Sequence, residues 1–128
     1  MALPSTPTGR ALLCARTALG LATLLAPRLA AKAFFFDPDQ NPQLSVMGRM
    51  WGIRNLSLAA GMYAAAGANR AQWWRLQPAV DALDLLAIVA EWRRGALPGP
   101  AAGLTAATAL AAGTLGVLSV AGESEQPA

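Results

Sequence analysis

The chain contains no histidine and a single cysteine, Cys14. Without histidine there is no Ser-His-Asp triad, no Cys-His pair and no histidine-ligated metal centre. A lone cysteine cannot close an internal disulfide, so it does not report on redox compartment. Charge is scarce as well, at 13% of 128 residues against 55% hydrophobic, where soluble domains carry about 25% charged residues. A chain of this length makes one domain. In water such a small domain has much surface per volume and needs polar side chains to cover it. Lipid as the outer solvent is the simpler account. No alternating β-branched runs appear, which argues against a β-barrel. The net charge of +3 comes from arginines and Lys32. These are scattered and not interleaved with aromatics, which argues against a nucleic-acid groove.

Alanine is abundant, the best helix former and small enough for helices to touch. The composition therefore predicts an all-α protein, a four-helix transmembrane bundle. Residues 1–9 are polar and Pro-rich and are expected to form a flexible tail. Residues 10–122 would be the membrane domain, and 123–128 a disordered acidic tail. In the first apolar segment Ala18, Ala22 and Ala26 recur every four residues, a small-residue strip suited to close helix approach. Two readings compete with a retained first helix: a secretory signal peptide with Ala31-Lys32-Ala33 as its cleavage region, and a basic, acid-poor transit peptide. Arg28 to Phe36 reads as a short interfacial stretch with its phenylalanines in lipid, broken by Asp37-Pro38-Asp39.

Asn41-Pro42 is a natural helix start. It predicts a second helix over 42–66 with Gly48-xxx-Gly52 and Gly61-xxx-Ala65 as close-packing motifs. Trp73, Trp74 and Arg75 follow as an interface anchor. A third helix is predicted over 78–94, closed by Trp92, Arg93 and Arg94. From Gly95 to Gly122 there is no charge at all, the strongest membrane signal in the chain. Gly103, Ala107 and Ala111 are the expected small face of the fourth helix. The basic residues nearly balance across the two sides. Arg28, Lys32, Arg93 and Arg94 together place both termini outside.

Charges interrupt the middle helices. Arg49, Arg54 and Asn55 fall in the second, and Asp81, Asp84 and Glu91 share one flank of the third. A charge at the bilayer centre costs about 2.5–3.5 kcal/mol on insertion scales. These helices are therefore plausible in lipid only if their charges meet. Helix two against helix three, Arg54 near Asp84, and Arg49 or Arg16 serving Asp81 or Glu91 is the economical arrangement, since guanidinium forks match carboxylates. Such a cluster reads either as packing glue or as a site. As a site, Asp81, Asp84 and Glu91 are the acid/base candidates, with Arg16, Arg49, Arg54, Asn55 and Trp51 as binding residues. No cofactor or metal is called for. The expected partners are the lipid bilayer, a lipophilic small molecule, and a second copy or another membrane protein.

The stretch Ala15 to Phe34, then FDPDQNP, GRMWGIRNLSLAAGM and VDALDLLA, resembles a family of small four-helix actinobacterial membrane proteins with a distant likeness to DoxX-like proteins. Gly52-Ile53-Arg54-Asn55-Leu56, with Asp81 and Asp84 downstream, carries the resemblance best. It implies a multi-pass protein of the bacterial cytoplasmic membrane and lends no reaction. Two functions stay open, beside a third reading in which a soluble helical bundle is left after presequence removal. One is an accessory or small-molecule-handling membrane protein. The other is a cofactor-independent membrane isomerase or cyclase acting on a lipophilic substrate.

Overall fold

Thr6 opens the first helix. Its hydroxyl accepts the Gly9 amide at 3.0 Å and Pro7 takes the first helical position, where a missing N–H matters least. The computed structural model describes residues 3–66 and 68–124, and within them five helices and no strands. α1 spans Pro7–Leu25, α2 Pro27–Ala33, α3 Leu44–Ala64, α4 Ala68–Arg93 and α5 Gly99–Ser124. The all-helical class is thus as composition predicts. One helix, α5, is long and apolar enough by itself to cross a membrane; α1 and α2 reach that standard together, across a bend of 118°.

The bend follows from Pro27. A residue preceding proline is pushed out of helical geometry, and Ala26 sits at φ −129°, ψ 58°. α2 ends in a Schellman motif, with the Phe36 amide on the Ala31 carbonyl and the Phe35 amide on that of Lys32. This motif needs a left-handed residue, usually glycine. Here Phe35 takes it at φ 61°, whereas Gly95 does so at the end of α4 with φ 75°. Of the three phenylalanines only Phe35 is exposed. Phe34 instead sets its edge against the Trp51 ring, centroids 5.9 Å apart.

α1 packs along α3, and α4 along α5. Gly20 and Gly52 make the first contact possible. A Cβ on Gly52 would fall 2.8 Å from the Gly20 carbonyl oxygen, and one on Gly20 would fall 3.0 Å from that of Gly52. The Gly48-xxx-Gly52 expectation therefore lands on a real helix contact. The alanine strips do not. Ala18, Ala22, Gly103, Ala107 and Ala111 are exposed, and α1 buries Gly9, Leu12, Arg16, Gly20 and Thr23 instead. Leu12, Ala59, Met62 and Trp74 form the apolar core.

Several boundaries differ from the sequence reading. Helix α1 starts inside the expected N-terminal tail, and α5 continues into the expected acidic tail through Glu123, which is fully buried. Residues 1–2 and 125–128 lie outside the described residues. α3 starts at Leu44 rather than Pro42, because Asp37 organises the preceding turn by accepting the Asp39 and Gln40 amides. α4 begins ten residues before Pro78, which lies within it. Trp74 is consequently core rather than an interface anchor, and the Trp73 ring occupies the space over Gly61.

Candidate functional site

The inner face of α4 carries Arg70, Trp74, Gln77, Asp81 and Asp84, spaced alternately by four and three residues. That spacing keeps them on one stripe. Arg16 of α1 reaches the stripe at mid-helix. Its Nη2 donates to Asp81 Oδ2 at 2.7 Å and its Nη1 to Asn55 Oδ1 at 3.1 Å. Asn55 is oriented in turn by donating Nδ2 to the Trp51 carbonyl at 3.0 Å. Arg16 is 3% exposed and Asp81 4%. One turn further along α4, Arg54 Nη2 donates to Asp84 Oδ2 at 2.7 Å, with both side chains about a third exposed.

Six of the eight residues singled out from sequence therefore lie in one region. Arg16, Asn55 and Asp81 form its buried centre, Arg54 and Asp84 its half-open rim, and Trp51 its carbonyl anchor. Two do not join. Arg49 is exposed and makes no ion pair among the described residues. Arg49 lies five residues before Arg54, about 140° around α3 from the residue that meets Asp84 of α4. Glu91 is bound to Arg94 three residues later on the surface, at 2.6 Å, since α4 has by then moved past the cluster. The cluster is also not a two-helix affair. α3 and α4 touch only briefly, and α1 supplies the buried cation.

The sequence reading missed a second charged group at the other end of α4. Arg70 Nη2 donates to Glu123 Oε2, and Arg70 Nε to the Glu123 carbonyl at 3.0 Å. Glu123 Oε1 accepts both the Thr6 amide and the Thr6 hydroxyl, each at 2.8 Å. The signal for it was the four-three stripe. The stripe reads through to Arg70 only once α4 is allowed to start before Pro78.

Polar atoms remain without partners around the centre. Arg16 Nε, Trp74 Nε1 and Gln77 Oε1 are buried and unpaired among the described residues. A cavity of about 340 Å³ between α4 and α5 reaches Asp81 from outside the bundle. A second of about 220 Å³ lies under α2, walled by Pro27, Phe34, Phe36, Met47 and Trp51. Among the described residues no cluster of acids and cysteine is arranged to hold a metal ion. No protein-family model, curated protein or solved structure matches the chain.

Proposed function

We propose that this chain is a small multi-pass protein of the bacterial cytoplasmic membrane that handles a lipophilic small molecule or serves as an accessory subunit. The observation that carries the reading is an inverted polarity. Arg16, Asn55, Arg70, Gln77, Asp81 and Glu123 are buried, while Leu25, Leu29, Met50, Ile53, Leu83, Leu86, Val117 and Leu118 are each more than half exposed. Water would favour the opposite arrangement, because apolar area gains about 25 cal/mol per Å² on leaving it. Hydrocarbon favours this one, since polar groups there must find partners inside the protein.

The helix lengths agree. α3, α4 and α5 have 21, 26 and 26 residues, enough at about 1.5 Å per residue for a core of about 30 Å. The broken α1–α2 pair fits a span followed by a helix lying in the interface. Membership of the family of small actinobacterial membrane proteins that Gly52 to Leu56 resembles is part of this proposal. The protein is expected to stay with membranes through alkaline carbonate washing and to require detergent for release. Recovery as a monodisperse protein in plain buffer would overturn the proposal.

Asp81 favours a second reading, a cofactor-independent isomerase or cyclase for a lipophilic substrate, because the carboxylate reaches an open groove. Asp81 or Asp84 would move the proton, with Arg54 and Asn55 orienting the substrate. Asp84→Asn should then abolish turnover in a protein that still folds. Loss of the fold in that variant would assign Asp84 to packing instead.

A further inference from the structure

The α4–α5 groove has one feature that an accidental gap between helices would not have. Its walls are apolar, from Pro78, Ala82, Leu85, Ala109 and Gly113 among others, and its two polar residues, Asp81 and Thr114, offer only acceptors. Thr114 spends its proton on the Leu110 carbonyl at 2.7 Å. Asp81 is ion-paired with Arg16 through Oδ2, and Oδ1 takes part in no hydrogen bond among the described residues. A carboxylate in an ion pair accepts and cannot donate. Small side chains keep the groove open. Even a methyl at Gly113 would already touch the Asp81 Cβ, 3.4 Å away.

We propose that this groove binds a lipophilic alcohol, with the hydroxyl donating to Asp81 Oδ1 and the hydrocarbon lying along the α4–α5 seam. The proposal rests on the membrane reading, which supplies the route by which such a molecule arrives. Charge selects the class. Arg16 and Arg54 cancel Asp81 and Asp84, so a cation finds no net attraction, and an anion meets an acceptor it cannot bond. A neutral O–H gains a charge-assisted hydrogen bond of about 2.5–2.7 Å. The volume of about 340 Å³ falls within the range of about 300–1,000 Å³ typical of small-molecule sites.

The test uses the full chain in phosphatidylcholine vesicles with a diazirine-bearing hexadecanol as photoprobe, mapped by mass spectrometry. Labelling is expected on residues 78–85 and 109–118. Hexadecanol should compete at least about tenfold better than hexadecane, the value of one hydrogen bond to a charged group. Ala82→Phe, at an exposed position on the groove, should remove the label, and Leu86→Phe, exposed but outside it, should not. Equal competition by the alkane, or label spread evenly over the outer faces of α1 and α3, overturns the proposal. Flotation of the same vesicles separates the two failures. Protein that floats without seam labelling overturns the alcohol site alone, and protein that does not float overturns the membrane reading with it.

Discussion

Two buried arginine–carboxylate pairs sit on the α4 stripe, one near the start of the helix and one at its middle, and they are built to opposite standards. At the Arg70–Glu123 pair both carboxylate oxygens and the neighbouring carbonyl are taken, and a capping threonine is tied in as well. At the Arg16–Asp81 pair Arg16 Nε is unpaired, and Asp81, with no bond to its Oδ1 among the described residues, lines a groove. A satisfied network fixes structure, and an incompletely satisfied one keeps bonding capacity in reserve. The first pair reads as a clasp and the second as a place where something else can bind.

Removing one acid should be severe at either pair. Asp81→Ala or Glu123→Ala leaves a buried guanidinium unmatched, and each is expected to lower stability by about 3–5 kcal/mol, read by thermal unfolding in detergent. Apolar replacements should tell the pairs apart. Arg16→Met with Asp81→Leu, made together with Asn55→Leu so that the Asn55 Oδ1 is not left without its donor, is expected to return close to the parent stability, as apolar substitutes for buried pairs often do. Arg70→Met with Glu123→Leu should stay about 1–3 kcal/mol below it, because the Thr6 amide and hydroxyl are left without an acceptor. Equal recovery would erase the distinction.

Gly52→Val should cost about 1–3 kcal/mol by overpacking. Hydrogen exchange should then rise around Arg16, which depends on α1 lying close to α3, and stay unchanged around Arg70. Thr6→Val tests the clasp more gently. It removes a helix cap and one donor to Glu123, about 1–2 kcal/mol, without affecting labelling of the groove.

The smallest effect belongs to an exposed acid, Asp39, between α2 and α3. Lys32, hydrogen-bonded to it at 3.0 Å, and Arg28 hold its carboxyl below the usual carboxylate range. A depressed folded value stabilises the fold fully above the unfolded value of about 3.9 and loses that contribution as pH falls through the folded one. Melting curves taken below about pH 4 should show a small decline that Asp39→Asn removes.

Much of this was readable beforehand. Helicity follows from alanine and the absence of strand patterns, and the Arg54–Asp84 pairing from the need to neutralise charges in apolar helices. Asp81 was paired on the same reasoning, although Arg49 and Arg16 were equal candidates for it. Three things were not readable. Pro78 reads locally as a helix boundary, yet it lies inside α4, so the local signal hides Arg70 and Gln77. The small-residue faces were also ambiguous. Alanines recur around α1 and α5 on several sides, and only the tertiary contacts choose the side with Gly20 and Gly52. Glu123 looked like part of an acidic tail because nothing local marks the distant threonine and arginine that claim it.

The distance along the chain between the partners in each pair has a consequence for how the protein is made. Asp81 follows Arg16 by 65 residues and Glu123 follows Thr6 by 117. On the proposed membrane reading, α1 emerges in a nascent chain with an arginine whose acid has not yet been synthesised, a state disfavoured by about 2.5–3.5 kcal/mol at mid-bilayer. That reading predicts that α1 is retained beside the insertion machinery until α4 arrives, so a message truncated after α3 should give a product that is withdrawn and degraded, not a shorter membrane protein.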